Sequence, residues 1–459
     1  MWSNFHSLTA YKGVLVMKLS MHFFSTCALL GAFVLSQSSY AQSDGATSPP
    51  PSSTTGDSAS SSMGQASMTP SYELGGIGQA GPLGQAGITT APVYGLPLRM
   101  DNGVFIYPNV YVGAGNNSNV LTTRDNAISS SVITLQPYLV GEVKNHGDRY
   151  TLAYRGNFTR YDNSSADNFN HHDIQLAGDN YLSTRSSLGW GAGYVERTDP
   201  RGSTDRGVSA EPDKWHAPVA RALYGYGTPG AQGRVEVEGS YQQKRYDNNR
   251  AATIESDVNL ATVSGRFFYR VMPRTSVVME VRQTNADYIA DTSTNDNTDR
   301  RYLVGLTWDA TAKTSGTFKV GQQQKDFSGA ARPAASGASW EGAVRWSPLT
   351  YSVWDLVASK AAADSTGFGD YITNTGATVT WNHQWASTIS SRVLLGSLQS
   401  DFAATPRTDT TRNYGLGFFY NIARTLRAGL EVTRTDRSSS LSIYEFSRNV
   451  TMLSLEVTL

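Results

Sequence analysis

Cysteine is almost absent from this chain: 459 residues contain one, Cys27, inside an N-terminal apolar stretch. A lipid attached at Cys27 is disfavoured, because Ser25-Thr26-Cys27 leaves too little apolar segment ahead of it. If that stretch is removed, the remainder can form no disulfide. Net charge is also missing, with 38 Lys+Arg against 38 Asp+Glu, so there is no net basic face of the kind nucleic-acid binding requires. Beyond the N-terminus no run of about 18 apolar residues occurs, and the mean hydropathy is −0.35, which excludes helical membrane spans. G-x-S-x-G, H-E-x-x-H and paired Cys/His clusters are absent too. The sequence therefore reads as a non-enzyme without cofactor or metal.

What is present at the N-terminus is an export signal. Lys18 precedes an apolar stretch from Phe23 to Leu35, and Ser39-Tyr40-Ala41 supplies small residues for cleavage after Ala41. Residues 42–100 follow, rich in Ser, Thr, Gly, Pro and Gln. So little apolar surface cannot offset the entropy of ordering, and a disordered periplasmic tether is expected. Within it Gly78-Gln79-Ala80-Gly81 returns as Gly84-Gln85-Ala86-Gly87.

From Asp101 to Leu459 the pattern is alternation. Tyr150, Leu152, Tyr154 and Phe158 interleave with Arg149, Thr151, Arg155 and Asn157, as a strand with one apolar and one polar face requires. The chain ends likewise, with Leu453, Leu455, Val457 and Leu459 set against Ser454, Glu456 and Thr458. Short turn clusters punctuate these stretches roughly every 36–45 residues: His146-Gly147-Asp148, Ser183-Thr184-Arg185, Thr228-Pro229-Gly230, Met272-Pro273-Arg274, Thr311-Ala312-Lys313, Ser347-Pro348-Leu349, Trp385-Ala386-Ser387 and Ala423-Arg424-Thr425. Between turns, long polar connections carry Asp and Asn: Asp162–Asn170, Asp199–Glu211, Asp247–Arg250, Asp287–Arg301 and Asp401–Arg412. Short turns on one side and long polar loops on the other predict an all-β fold, a transmembrane antiparallel up-and-down β-barrel. Eight turns and nine loops give about 18 strands, wide enough for an aqueous interior. The location implied is the outer membrane of a Gram-negative bacterium, with lipid and the barrel-assembly machinery as partners.

Charge decides which face looks where. One Arg at the bilayer midplane costs about 2–4 kcal/mol on the lipid side, whereas a wet lumen keeps it hydrated. The polar parity therefore points inward, and the candidate lumen-lining residues are Arg155, Glu236, Glu238, Arg266, Arg270, Glu280, Arg282, Arg345, Arg427 and Glu431. Trp308, Trp346 and Trp385 sit near short turns, where an interfacial aromatic belt forms. Trp190, Trp340 and Trp381 keep lipid-facing parity. His171 and His172 are adjacent in an extended segment, so they point to opposite faces and cannot chelate together. Asp291, Asp296 and Asp299 lack the Gly and terminal Glu of a calcium loop and read as solvated. No loop is long enough to announce itself as a plug.

At the first strand the sequence reads Phe105-Ile106-Tyr107-Pro108-Asn109-Val110, then Asn116-Asn117-Ser118-Asn119-Val120. This opening resembles that of a family of bacterial outer-membrane β-barrel porins (the beta-barrel porin 2 type) associated with exopolysaccharide or capsule export. The resemblance covers roughly residues 100–459. It implies a passive conduit receiving a polysaccharide cargo from a periplasmic polysaccharide-export protein. A general or small-solute diffusion porin remains the alternative reading of the same barrel.

Overall fold

In the computed structural model of the chain, residues 96–458 are described, apart from 102, 208, 229, 312, 330, 331, 366 and 368. The expected signal peptide, Cys27 and the Gly-Gln-Ala-Gly repeat lie outside the described residues. A two-residue strand, β1 (Leu98–Arg99), precedes eighteen long ones. These are β2 (Val104–Asn117), β3 (Ser130–Asn145), β4 (Asp148–Tyr161), β5 (Phe169–Tyr181), β6 (Ser186–Thr198), β7 (Lys214–Tyr226), β8 (Gly233–Tyr246), β9 (Val258–Met272) and β10 (Thr275–Tyr288). The series continues with β11 (Asn297–Thr311), β12 (Thr314–Phe327), β13 (Ala335–Leu349), β14 (Ser352–Asp364), β15 (Tyr371–Gln384), β16 (Ile389–Phe402), β17 (Thr408–Ala423), β18 (Leu426–Ser439) and β19 (Phe446–Thr458).

Each strand from β2 onward pairs antiparallel with the next, and β19 returns to pair with β2 through Leu455↔Val112. The sheet thus closes into an 18-stranded barrel with no free edge, the arrangement that satisfies every ladder group in a membrane. The β19–β2 ladder ends at Thr458↔Asn109, and β1 prolongs that edge of β2 through Leu98↔Ile106.

Strand parity sorts the side chains. In β18, Leu430 and Val432 are exposed on one face, while Gly429 and Thr435 are buried on the other. Leu430 stands beside Phe418 and Leu453 in register, and all three are exposed aliphatic or aromatic groups. Exposure marks the convex, lipid-facing side, and burial marks the crowded concave side. The usual soluble order, apolar inside and polar outside, is inverted accordingly.

Near the short-turn end the outer face carries an aromatic group. Trp354 stacks on Trp381 at 5.3 Å, Trp346 lies 6.2 Å from Trp354, and Trp385 packs against His383 at 4.2 Å. The Trp381 indole N–H donates to Ser352 Oγ at 2.9 Å, leaving no unpaired polar atom on that ring at the boundary.

One expected turn is displaced. Ser347-Pro348-Leu349 belongs to the end of β13, and the chain reverses at Thr350-Tyr351. The β13–β14 ladder skips from Trp346↔Trp354 to Leu349↔Ser352, so Pro348 occupies an irregularity where its missing N–H costs no rung. The Asp287–Arg301 connection is also shorter than its polarity suggested. Asp299 and Arg301 are paired with Thr284 and Arg282 in the ladder, leaving 289–296 as loop.

Candidate functional site: the barrel lumen

The inward parity of β7 to β13 carries two ion-pair clusters. Arg266 on β9 donates to Glu236 at 2.8 Å and to Glu238 at 2.7 Å, and Arg221 on β7 reaches Glu238 at 2.8 Å. The second cluster spans four strands. Lys319 on β12 bonds Glu280 on β10 at 2.5 Å and also contacts Glu341 on β13, while Arg282 bridges Glu280 and Glu341. Lys319 and Glu280 reach each other across β11, where the inward position beside Lys319 is Gly305. Lys319 is only 1% exposed and Glu280 2%. Such burial is tolerable only because each charge has a partner.

The remaining candidates also lie on this parity. Arg345 pairs with Asp355 at 2.7 Å, and Arg427 with Glu456. Arg155 is exposed and stacks 4.9 Å over the Tyr138 ring. Arg270 is half-buried on β9, two positions beyond Phe268. Glu431 keeps one carboxylate oxygen buried without a hydrogen-bond partner among the described residues. The candidates named from the sequence left out Lys319, Glu341, Arg221 and Arg234, the last 3.2 Å from Glu236, although each sits on the polar parity of its strand. They also left out Trp215, an inward indole whose N–H donates to Asp199 at 2.7 Å.

The two adjacent histidines point to opposite faces, as expected of neighbours in a strand. His171 is buried, accepting from the Thr198 amide at 3.0 Å, while His172 contacts Tyr154 on the other face. Asp296 accepts from the Tyr288 amide and Asp299 from Gln323, and Asp299 departs from the solvated-loop reading: it lies within β11, 3% exposed and paired with Arg301. Among the described residues no group of three or more His, Cys, Asp or Glu could hold a metal.

The feature the sequence did not reveal is a loop that crosses the lumen. The connection between β6 and β7, residues 199–213, starts on one wall. Its Asp205 carboxylate accepts from Ser365 Oγ at 2.9 Å and from the Gly367 amide at 3.0 Å, both in the β14–β15 connection. The Asp205 carbonyl accepts from Arg407, ahead of β17, at 3.1 Å. In the closed ring, the β14–β15 connection is eight strands away in one direction and ten in the other. The loop therefore meets the opposite wall. Its contacts are built to hold: Arg407 is 1% exposed, bound to Asp409 at 2.6 Å and stacked 4.2 Å over Phe402 and 3.4 Å over Tyr444.

Along its length the loop is pinned to its neighbours. Arg201 bonds Asp167 at 2.5 Å and the Ala210 carbonyl at 3.0 Å. Arg206 bonds Asp213 at 2.7 Å and Ser256 at 3.0 Å, with its guanidinium 4.9 Å over Tyr246. Gly202, at φ +75°, adopts a left-handed backbone beside Phe446 and Thr122 that a side chain would strain. At the loop's far end the Lys214 ammonium, with Asn248 beside it, holds the Glu211 carboxyl below its ordinary range despite slight burial.

The opposite wall leans in to meet the loop. Pairing of β13 with β14 stops at Trp340↔Lys360, while β14 and β15 stay paired up to Asp364↔Tyr371. The Gln323 side chain on β12 bypasses β13 to bond the Ala362 backbone twice, at 2.8 and 3.0 Å. Asp364 then accepts from Tyr288 at 2.8 Å and Asn297 at 3.0 Å and pairs with Lys325 at 2.5 Å. Both the loop and the upper part of β14 thus narrow the barrel at its long-loop end.

The sequence matches the family described as "Putative beta-barrel porin 2" over residues 100–459. No curated protein matches the chain. Among solved structures it is similar to Pseudomonas aeruginosa OpdK crystallised with vanillate, at 11% identity and TM-score 0.45, covering 77% of this chain and 99% of that one. A BenF-like porin from Pseudomonas fluorescens Pf-5 is comparable, at 11% identity, TM-score 0.44 and coverages of 77% and 99%. So is a structure described as a bacterial polysaccharide outer membrane secretin, at 11% identity, TM-score 0.36 and coverages of 77% and 97%.

Proposed function

The chain belongs to this family of outer-membrane β-barrel porins, and on that premise we propose that it is a diffusion channel for small hydrophilic solutes. The observation that carries the reading is the loop 199–213, anchored by Asp205 to Ser365, Gly367 and Arg407 on the far wall. Eighteen strands alone leave a wide aqueous bore. A strap pinned at both ends divides that bore, so solutes pass in the remaining space while a broad polymer does not. The ten inward residues named from the sequence, Arg155, Glu236, Glu238, Arg266, Arg270, Glu280, Arg282, Arg345, Arg427 and Glu431, line the wall beneath it. Most are neutralised by partners, which keeps the wall wet without a deep trap for any one ion.

Conduction of an exported polysaccharide is the competing use of the same barrel, and it requires the strap to leave the lumen. Liposome swelling with sugars of graded size separates the two. Entry of mono- and disaccharides with exclusion of longer oligosaccharides supports the diffusion channel. Ready passage of long oligosaccharides through the wild-type protein, or loss of polymer secretion on gene deletion, would overturn it.

A further inference from the structure

Beneath the strap, the inner face of β18 and β19 carries two guanidinium groups, Arg437 and Arg448, that form no ion pair among the described residues. Asn413, Thr435 and Arg448 stand side by side in register across β17, β18 and β19. The Thr435 hydroxyl donates to Asn413 Oδ1 at 2.7 Å, which leaves the Asn413 amide nitrogen as the free donor. That nitrogen is buried and unpartnered among the described residues, with Asn413 only 1% exposed. Arg448 Nε is buried and unpartnered as well. Among the described residues Arg448 forms no ion pair, and the ionisable side chains near it include the Tyr161 phenol and the Arg437 guanidinium.

One rung further along β18, Arg437 donates to Thr411 Oγ at 3.0 Å and lies 5.2 Å from the Phe446 ring. The charges within its reach are Arg407, Arg448 and Asp409. Asp409 is already engaged by Arg407 and by Ser439. Arg437 and Arg448 thus have no ion pair to a carboxylate among the described residues, in contrast to the Glu280–Lys319–Glu341–Arg282 cluster, where charges balance. A buried cation without its counter-charge is costly unless something supplies it.

We propose that Arg448, Arg437 and Asn413 form a subsite for a small oxyanion, a carboxylate or phosphate, on its way through the channel. Guanidinium forks match the paired oxygens of such anions, and the Asn413 amide adds a neutral donor in the same row. Gly202 of the strap sits against Phe446, the β19 residue paired with Arg437, so the subsite lies where the bore is narrowed. The proposal rests on the diffusion-channel reading and names its preferred solute class.

The test is saturation-transfer NMR on the folded barrel in detergent, titrating acetate in one arm and inorganic phosphate in the other. Saturable binding of either ion is expected, weakened tenfold or more in Arg448→Gln. Asn413→Asp, which would place a carboxylate of the protein's own beside Arg448, is expected to abolish it. Arg448→Lys keeps the charge but loses the fork and should fall between. Absence of saturable binding, or equal binding in wild type and in either folded variant, overturns the subsite. Binding in this assay with no solute flux in liposomes would instead count against the diffusion-channel reading and leave the subsite standing.

Discussion

The Asp205 carbonyl accepts a hydrogen bond from Arg407 at 3.1 Å, although 202 residues and half the barrel's circumference separate the two. The same residue's carboxylate holds Ser365 and the Gly367 amide. This contact turns a connection between neighbouring strands into a strap across the lumen.

Asp205→Ala removes the carboxylate's bonds to Ser365 and the Gly367 amide and leaves the backbone contact to Arg407. Hydrogen bonds to a charged group contribute about 1.5–3 kcal/mol each. The released state of the strap should therefore gain roughly tenfold or more in population. Single-channel recording should show new, larger openings against the wild-type level. An unchanged conductance histogram would show that the strap is held elsewhere.

Lys319→Met leaves Glu280, which is 2% exposed, ion-paired to Arg282, with Arg266 opposite it on β9. Breaking a buried ionic cluster from one side costs about 3–5 kcal/mol. Urea unfolding of the barrel in lipid vesicles should register a loss of that order. The double change with Glu341→Gln should recover part of it, since Glu280 and Arg282 then remain as a matched pair.

Parity itself is testable on one strand. Leu430 is 42% exposed on the lipid-facing side of β18, and Thr433 is on the inner face beside Gly415. Leu430→Arg should destabilise the barrel by about 2–4 kcal/mol if the site lies near the midplane. Thr433→Arg should cost much less and alter ion selectivity. Equal losses at the two positions would contradict the assigned facing.

Much of the barrel was legible because lipid imposes a strict rule on every strand. Leu453 and Leu455 must face out, so Ser454 and Glu456 must face in, and the same logic placed Glu236, Arg266 and Glu280 on the inner wall. Turn chemistry then set the strand number. Pro348 misled because a proline usually breaks a strand, and only the local slip in the β13–β14 ladder lets β13 run through it. The strap was illegible for a different reason. Asp205, Arg206 and Asp213 look like any solvated loop residues, and their partners are fixed by ring closure rather than by sequence proximity. Arg407 and Arg448 carried no signal either, since the surroundings of an arginine are known only once the strands around it are placed.

Acid should loosen the strap's end only below the ordinary carboxylate range. The folded Glu211 carboxyl lies below its unfolded value of 4.5. Its contribution is therefore complete above about pH 4.5 and is lost as pH falls through the folded value. Because Glu211 and Lys214 are 39% and 44% exposed, the pair is worth no more than about 1 kcal/mol. Hydrogen exchange of residues 199–213, corrected for intrinsic rates, should be flat from pH 8 to 5 and rise only at lower pH. A rise between pH 8 and 6 would point to a different titrating group.

The most direct measurement is single-channel conductance of a double variant, Asp205→Cys with Gly367→Cys, before and after mild oxidation. The crosslink should form readily in the folded barrel and lock the channel at its low, strapped conductance. Reduction should restore occasional larger openings. Failure of the pair to crosslink, or a bridged channel conducting as much as one with residues 200–212 replaced by a short turn, would contradict a strap that spans and narrows the lumen.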